Sequence, residues 1–329
     1  MKYLPIDRDD HSYQRPLSWS QIQAMCERLL GPTVQVLEVI ENPLGTYNST
    51  FRVELAESAP VYLRVAPEPG LQFRSEHRFM RNEHAGIPFL APIAHLLSRT
   101  LGIDFTHEIV GRDYMIQTQL QGIPAPEGLD EYPRAEWTSF YRDIGSIART
   151  IHGVRGEGFG FIAGPTFDSW SAALLSSLDD IAADHDDVGL HSADVRTLSN
   201  WVRHHRSLFD AITEPQLLHG DLWTVNVTIA AEAQKPRIVG ICDCDRMSWG
   251  DPLADWSIFM ARKRPGTERD GFWDTYGRDD PTPDDESRAL IYEARHVVMA
   301  RLERYRLGKN DEVDVSYRDV AQILCQIPG

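Results

Sequence analysis

His219-Gly220-Asp221-Leu222-Trp223-Thr224-Val225-Asn226 decides the fold of this chain, together with the run from Ile238 to Asp245 that follows it. Phosphoryl transfer from a nucleotide uses an Asp that orients the attacking hydroxyl, an Asn a few residues later that holds a metal ion, and a second Asp for the Mg²⁺ that bridges the phosphates. Asp221, Asn226 and Asp243 occur in that order. The stretch therefore predicts a catalytic Asp221 and two metal ligands, Asn226 and Asp243.

A third motif, Gly250-Asp251-Pro252 followed by Asp255, completes the pattern. A lone His-Gly-Asp or a lone Asp at a strand end is usually structural, but the order and spacing of all the elements argue against coincidence. The combination resembles the aminoglycoside phosphotransferase and choline-kinase-like family of small-molecule kinases over most of the chain. The resemblance implies an α+β, two-lobed, protein-kinase-like fold, with a small N-terminal mixed or antiparallel sheet lobe and a larger, mainly helical C-terminal lobe.

The resemblance also implies roles for three residues around the loop. His219 holds the loop and Asp255 anchors it from below, and neither needs to change its charge. Asp245 has two interpretations, since it either assists the metal site or caps the next turn.

Strands are predicted on both sides of the loop. Residues 215–218 form a short apolar run before it, and residues 225–229 form a β-branched alternating run after it. After a polar turn, residues 237–244 return as the second arm of a hairpin. This arrangement is expected to bring Asp243 beside Asn226.

The alternation of side chains along a strand also predicts the environment of two cysteines. Asp243 and Asp245 are expected on one face, and Cys242 and Cys244 on the opposite face, toward the core. The other two cysteines are isolated in the sequence, and no second Cys pair or Cys/His cluster has the spacing of metal ligands. The pattern favours buried free thiols.

The N-terminal part predicts a helix followed by three strands. Residues 18–30 form the helix, with Ser18 as N-cap, and the strands cover residues 34–40, 50–55 and 61–65. In the fold that the chain resembles, the turn-rich loop 43–49 covers the phosphates of the nucleotide. It contains a single Gly, so it is neither a G-x-G-x-x-G loop nor a Walker A loop. The candidate phosphate-binding residues are Gly45, Asn48, Ser49 and Thr50.

Arg64 occupies the third strand, where a kinase carries a Lys that contacts the α- and β-phosphates. A rigid guanidinium fork and a flexible ammonium are not equivalent at a phosphate site, so the preference between ATP and GTP stays open. Residues 73–85 read as a helix that carries Glu76. Because this segment precedes a Gly-x-Pro turn as the family's Glu helix does, Glu76 is favoured as the partner that orients Arg64. An exposed Glu on a solvated helix is the alternative.

Three regions follow from these elements: an N-terminal nucleotide-binding lobe of residues 1–118, a hinge of residues 119–126, and a C-terminal catalytic and acceptor-binding lobe of residues 127–329. Gln119 and Gln121 are the hinge candidates for nucleotide contact, although a kinase hinge reads the adenine edge with main-chain groups. Amphipathic helices are predicted in the last region. They cover residues 137–152, 170–183, 193–211 and 283–307.

Charge is unevenly distributed along the chain. The 329 residues carry a formal net charge of −16, of which residues 1–118 contribute −3 and the remainder −13. An acidic acceptor lobe attracts a polycationic acceptor at long range. The basic cluster Arg262-Lys263-Arg264 points the other way, toward an acceptor with a carboxylate or phosphate, unless it is a solvated loop.

The start of the chain has no apolar core of a signal peptide, and no segment approaches the length of uncharged sequence that spans a bilayer. We expect a cytoplasmic protein, monomeric or homodimeric, without a nucleic-acid or membrane partner. Its expected partners are a nucleoside triphosphate, Mg²⁺ and a small-molecule hydroxyl acceptor.

Three functions are compatible with the pattern. The first is a kinase that phosphorylates an aminoglycoside-like or other sugar-containing antibiotic, for resistance or self-protection. The second is a metabolic kinase that acts on choline, homoserine, a sugar or a ketosamine. The third is a regulatory nucleotide-binding pseudokinase, against which the presence of Asp221, Asn226 and Asp243 argues.

Overall fold

The computed structural model describes residues 2–7, 13–43, 45–76, 78–277 and 280–327. Leu44 in the predicted phosphate loop and His77 in the predicted Glu helix lie outside the described residues. The chain forms two compact units. The first comprises Met1–Phe73 and Leu97–Leu120, and the second comprises Arg74–Leu96 and Gln121–Gly329.

A six-stranded mixed sheet forms most of the first unit. Its strands lie in the order β1-β2-β3-β4-β6-β5, with one parallel pair, β1 and β2, and antiparallel pairing elsewhere. The strands are β1 (Lys2–Leu4), β2 (Val36–Glu41), β3 (Ser49–Leu55), β4 (Val61–Val65), β5 (Thr100–Asp104) and β6 (Tyr114–Thr118). The three strands predicted near residue 50 are confirmed within two residues at each end.

Helix α1 (Trp19–Leu30) covers one face of this sheet. Its start is fixed by a capping box, in which the Ser18 hydroxyl accepts a hydrogen bond from the Gln21 N–H and the Gln21 side chain accepts one from the Ser18 N–H. Apolar side chains of the helix share a core with strand residues such as Phe51. The approach is close, because a Cβ added to Gly102 of β5 would lie 2.9 Å from Leu29 Cβ.

Helices dominate the second unit. They are α2 (Phe79–Gly86), α3 (Ala125–Gly128), α4 (Trp137–His152), α5 (Trp170–Asp187), α6 (Ala193–His204), α7 (Arg206–Asp210), α8 (Trp256–Arg262), α9 (Gly271–Tyr276), α10 (Pro283–Arg306) and α11 (Asn310–Leu324). The predicted helix 137–152 matches α4 at both ends. The predicted helix 193–211 is interrupted at His205, which separates α6 from α7. The expected combination of a mixed-sheet part with a larger, mainly helical part is confirmed.

Two small antiparallel sheets in the second unit hold the loop of residues 219–226. One has the order β11-β10-β7 and the other β8-β12-β9. Their strands are β7 (Ile123–Pro124), β8 (Gly160–Phe161), β9 (Gln216–Leu218), β10 (Val227–Ile229), β11 (Ile238–Ile241) and β12 (Ser248–Gly250). The loop therefore begins at the end of β9 in one sheet and ends at the start of β10 in the other.

Two strand predictions around the loop extend too far. Val225 and Asn226 belong to a 3-10 turn (Thr224–Asn226), so β10 begins only at Val227. Strand β11 ends at Ile241, and Asp243 has a left-handed backbone conformation with φ of 54°. Side-chain alternation therefore does not extend to Cys242, Asp243, Cys244 and Asp245.

The predicted helix 73–85 is also wrong as a single element. Arg74–Glu76 is a separate 3-10 turn, and Arg78, with φ of 61°, precedes α2. The segment belongs to the second unit, whereas the sequence placed it in the N-terminal lobe. The reason is Asp184 of α5, whose carboxylate accepts hydrogen bonds from the backbone N–H groups of Arg74 and Ser75 at 2.9 and 3.0 Å.

The four cysteines are free thiols. Cys26 and Cys244 are buried, as expected, but Cys242 is half-buried and Cys325 is exposed. Among the described residues, no helix combines the length and apolar character that crossing a bilayer requires.

Candidate active site

Asp255 anchors the loop that contains Asp221. Its Oδ2 accepts hydrogen bonds from the backbone N–H groups of His219 at 2.7 Å and Gly220 at 3.4 Å. Its Oδ1 accepts from the Ser257 N–H at 2.9 Å and so caps α8. This buried carboxylate thus connects the start of the loop to the start of a helix, the position that the family resemblance implied.

His152, at the end of α4, supports the Asp255 carboxylate. Its Nε2 lies 3.2 Å from Asp255 Oδ2, and its Nδ1 lies 2.8 Å from the Tyr276 hydroxyl. Although burial opposes ionisation of Asp255, the contacts with His152 and the backbone N–H of Ser257 keep the pKa of Asp255 below its usual range. His152 has no local sequence signal, because it precedes Asp255 by 103 residues.

His219 is a structural residue of the loop. Its Nδ1 accepts a hydrogen bond from the Asp221 N–H at 3.3 Å, and its Nε2 lies 3.4 Å from Cys244 Sγ. Burial lowers the pKa of His219, so its ring is neutral and suits these contacts.

Gly220 allows the turn that presents Asp221. Its φ is +80°, a region that L side chains rarely adopt. A Cβ at this position would lie only 2.4 Å from the Arg246 carbonyl oxygen. The loop and the segment after Asp243 therefore pack backbone to backbone.

Asp221 and Asn226 face one another across the loop. The Asn226 side chain donates through Nδ2 to the Asp221 carbonyl oxygen at 2.8 Å, which leaves its Oδ1 as an acceptor for a cation. The Cys242 N–H donates to the Asn226 carbonyl at 2.9 Å and places Asp243 next to this site. Burial raises the pKa of Asp221 to about 7, with a further upward effect of Asp243 that Arg246 and Asn226 oppose. A general base is most effective when its pKa lies near the working pH.

Asp243 is half-buried and precedes the 3-10 turn Cys244–Arg246. Asp245, in that turn, is buried, and its carbonyl accepts a hydrogen bond from Asn82 Nδ2 at 2.8 Å. Asn82 makes a second bond to the Met247 carbonyl at 2.8 Å. Helix α2 thus fixes the backbone that follows Asp243.

Arg246 is a residue that sequence reasoning missed. Its Nε lies 3.8 Å from Asp221 Oδ2, and its guanidinium lies over the Phe79 ring, 5.5 Å from the centroid. The feature of the sequence that could have indicated Arg246 is its position three residues after Asp243, because Asp243 was already expected to lie beside the loop. A guanidinium at this distance places a positive charge beside the Asp221 carboxylate.

The predicted phosphate loop lies in the first unit, where Gln14 fixes its shape. Gln14 Nε2 donates to the carbonyl oxygens of Gly45 at 3.0 Å and Asn48 at 2.8 Å. Asn48 and Ser49 are buried, and Thr50 is half-buried in β3. Within the described residues, the buried Oδ1 of Asn48 has no hydrogen-bond partner.

Arg64 and Glu76 lie in different units. Arg64 is buried in β4, with Nη1 3.4 Å from Gln117 Oε1 of β6. Glu76 is also buried, which excludes the alternative of an exposed Glu, and it forms an ion pair of 2.6 Å with Arg306 of α10. The pairing of Arg64 with Glu76 stays a prediction.

The hinge glutamines are exposed where the chain passes from the first unit to the second. The Gln121 carbonyl accepts a hydrogen bond from the Thr228 hydroxyl at 2.6 Å. Gly122, with φ of +86°, approaches the Ile229 carbonyl so closely that an added Cβ would lie 2.4 Å from it. The C-terminal side of the hinge is therefore held by β10, which begins directly after Asn226.

The donor set beside Asp221 suits Mg²⁺. Within the described ranges, no group of three or more His, Cys, Asp or Glu side chains forms a metal cage. Mg²⁺ is commonly held by one or two carboxylates together with the phosphates of a substrate and water. The Asp243 carboxylate and Asn226 Oδ1 fit this mode of binding.

The chain belongs to the phosphotransferase enzyme family (APH), whose pattern it matches over residues 38–291. It is thus an enzyme of the small-molecule kinase type, with a protein-kinase-like fold. No curated protein sequence matches it.

Solved structures of aminoglycoside phosphotransferases share the fold. APH(4)-Ia is 16% identical, with a TM-score of 0.66 over 95% of this chain and 100% of that one. A thermostable mutant of APH(4)-Ia in a ternary complex with AMP-PNP and hygromycin B is also 16% identical, with a TM-score of 0.65 over 92% and 97% of the two chains. The GDP and kanamycin complex of APH(2″)-IIIa is 14% identical, with a TM-score of 0.63 over 93% and 98%.

Proposed function

We propose that this phosphotransferase moves the γ-phosphate of ATP or GTP to a hydroxyl group of an aminoglycoside-like or other sugar-containing antibiotic, for resistance or self-protection. The observation that carries the proposal is the anchored loop. Asp255 fixes its backbone, Asn226 closes it, and Asp221 lies between them next to Asp243. Each of these groups has the chemistry that transfer to an alcohol needs.

In this mechanism Asp221 accepts a hydrogen bond from the acceptor hydroxyl and orients its oxygen for attack. Its raised pKa suits acceptance of the proton as the O–P bond forms. Arg246 stabilises the negative charge of the transferred group, and His219 and Asp255 keep the loop in position.

Asn226 Oδ1 and the Asp243 carboxylate would hold Mg²⁺, which neutralises charge on the nucleotide phosphates when bound. Arg64 is proposed to contact the non-transferred phosphates, with Glu76 as its orienting partner. The loop of residues 45–50 is proposed to contact the phosphates as well, as the family resemblance implies.

The assignment to an antibiotic rests on structural resemblance to aminoglycoside phosphotransferases solved in complexes with hygromycin B and kanamycin. A metabolic kinase is the second candidate. The basic residues at the end of α8 favour an acceptor with a carboxylate, such as homoserine, since Lys263 Nζ lies 4.7 Å from the centroid of the Phe259 ring and adds positive charge there. A cytoplasmic location is part of the same proposal, and cell fractionation would test it.

The deciding experiment measures nucleotide turnover by the purified protein with a panel of hydroxyl acceptors. The panel contains kanamycin, hygromycin B, choline, homoserine, simple sugars and a ketosamine, each with ATP and with GTP. Asp221→Asn is the control, and we expect it to lower turnover by about 10²- to 10⁴-fold while nucleotide binding persists. Turnover near the wild-type rate in Asp221→Asn would remove Asp221 from the mechanism. Turnover with choline or homoserine but with neither antibiotic would replace the first candidate by the second.

A further inference from the structure

One contact between two side chains joins the loop of residues 219–226 to the segment that follows Asp243. Cys244 Sγ lies 3.4 Å from His219 Nε2, and both side chains are buried. His219 precedes Asp221 by two residues, and Cys244 directly follows Asp243. The contact therefore connects the backbone of the proposed base to the backbone of a proposed metal ligand.

The other nitrogen of the His219 ring determines where the ring proton lies. The Asp221 N–H donates a hydrogen bond to His219 Nδ1 at 3.3 Å. A ring nitrogen that accepts from a backbone N–H carries no proton of its own, so the proton of the neutral ring lies on Nε2. Burial lowers the pKa of His219, which favours this neutral form. The hydrogen bond with Cys244 therefore runs from Nε2–H to the sulfur.

A sulfur acceptor suits this position because the His219 ring has to stay neutral. A carboxylate in place of the thiol would favour the imidazolium, as a nearby opposite charge does. The imidazolium carries a proton on both nitrogens, and its Nδ1–H would oppose the N–H of Asp221. Sulfur is a weak acceptor, so it orients the ring without favouring a charge on it.

We propose that Cys244 is a positioning residue for Asp221: its sulfur accepts the hydrogen bond from His219 Nε2–H and thereby keeps Nδ1 as the acceptor for the Asp221 N–H. The proposal rests on the proposed role of Asp221 as the base and adds a residue that acts on it through His219. Because Cys244 also follows Asp243, the same hydrogen bond keeps the base and the metal ligand at a fixed separation.

NMR spectra of the full chain, labelled with ¹⁵N in histidine and aspartate and assigned residue by residue, test the contact without any ligand. In the wild type we expect His219 to show a protonated Nε2 and an unprotonated Nδ1. Cys244→Ala removes the acceptor, whereas Cys244→Ser retains one. The His219 Nε2–H and Asp221 amide signals should move in the Ala variant, with faster exchange of the Nε2 proton, and should stay nearer to their wild-type positions in the Ser variant.

Kinetics measure the consequence for catalysis, with the acceptor of the panel that turns over fastest. Cys244→Ala should lower kcat by about 10- to 100-fold, because a small displacement of a catalytic group has effects of this order. The Kd for ATP should stay close to that of the wild type, since Asp221 acts on the acceptor hydroxyl. Cys244→Ser should keep more of kcat than Cys244→Ala.

Cys26 is the matched control, a buried cysteine in the apolar core of the first unit. There the same two substitutions should leave kcat unchanged. Ser should cost more stability than Ala at this site, because a hydroxyl in an apolar core is costly. If Cys244 only filled space, it would show the same order, with the Ser variant less active than the Ala variant.

Three outcomes would overturn the proposal. They are a protonated Nδ1 of His219 in the wild type, unmoved His219 and Asp221 signals in Cys244→Ala, and a lower kcat in Cys244→Ser than in Cys244→Ala. The NMR signals are read in the free protein, so they decide the contact even if no acceptor turns over. Expected signals without turnover would count against the proposed phosphotransfer and not against the role of Cys244.

Discussion

Arg246 Nε lies 3.8 Å from Asp221 Oδ2, so the proposed base is accompanied by a guanidinium from the segment that follows Asp243. The two side chains are partly exposed, at 26% and 22%. They are therefore accessible to a substrate. In the proposed mechanism, this places a fixed positive charge where phosphoryl transfer builds up negative charge.

Replacing Arg246 should slow the reaction more than it weakens folding. We expect Arg246→Ala to lower kcat by about 10²- to 10³-fold, as the loss of one fixed electrostatic contact does. Arg246→Lys should retain part of the activity, because the charge survives while the fork of donors does not. Steady-state kinetics with saturating nucleotide measure the effect. The control is Arg203→Ala, which removes an exposed Arg that pairs with Asp179. Equal rates in the two alanine variants would contradict a role for Arg246 in the reaction.

Gly220→Ala should disrupt the loop itself. The new Cβ would meet the Arg246 carbonyl at 2.4 Å, and φ is +80°. Gly189 has a similar φ of +76° but nothing within 4 Å of its added Cβ. We expect Gly189→Ala to cost about 1 kcal/mol in the free energy of unfolding and Gly220→Ala about 2–3 kcal/mol, with loss of activity. Urea unfolding of both variants measures the difference, and equal values would mean that the contact with Arg246 relaxes freely.

Asp255→Asn should destabilise the protein and misplace Asp221. The carboxylate accepts four hydrogen bonds, and an amide in its place has only one oxygen for them. We expect the free energy of unfolding to fall by about 3 kcal/mol. The matched control is Asp274→Asn, which disrupts the exposed pair with Arg142 and should cost less than about 1 kcal/mol. Similar losses in the two variants would show that Asp255 is not the anchor.

The metal assignment predicts a loss of Mg²⁺ dependence. Asp243→Ala should bind nucleotide with the same affinity in the presence and absence of Mg²⁺, because its carboxylate is the charged ligand, and Asn226→Ala should show part of this defect. Calorimetric titrations of ATP with and without Mg²⁺ measure it. An undiminished Mg²⁺ effect in Asp243→Ala would assign the metal to other residues.

Local sequence patterns predicted part of the fold and identified the candidate residues of the site, for a physical reason. The N-cap at Ser18, three strands of the first unit and the spacing of the motif residues around Asp221 depend on neighbours a few residues away. Such interactions are visible in the sequence. The bounds of α4 were predicted for the same reason, since its apolar face repeats with the period of a helix.

What the sequence did not predict depends on distant contacts. Glu76 lies on a separate turn because Asp184 binds the backbone before it, 109 residues away from Ser75. Asp243 leaves the strand in a left-handed conformation, which alternation cannot anticipate because it assumes extended backbone. Arg246 and His152 reach the loop only through the folded arrangement of the second unit.

His296 should make the stability of the protein depend on pH. Its Nε2 lies 3.1 Å from the Ala254 carbonyl, and burial, reinforced by Arg295, lowers the pKa of His296 to about 3. In the unfolded chain, the imidazole of His296 has the ordinary histidine pKa of about 6.5. As the pH falls, the unfolded state therefore binds this proton before the folded state does. The contribution of neutral His296 is therefore complete above about pH 6.5 and is lost progressively toward pH 3.

Urea unfolding at pH values of about 7.5 and 5 tests this expectation. Between these two pH values, the free energy of unfolding of the wild type should fall by about 2 kcal/mol more than that of His296→Gln. The Gln amide can still donate to the Ala254 carbonyl, but it cannot gain a charge. His204→Gln, at an exposed position, should keep the wild-type dependence. If His296→Gln lost as much stability as the wild type between the two pH values, the buried imidazole would not be the group that titrates on unfolding.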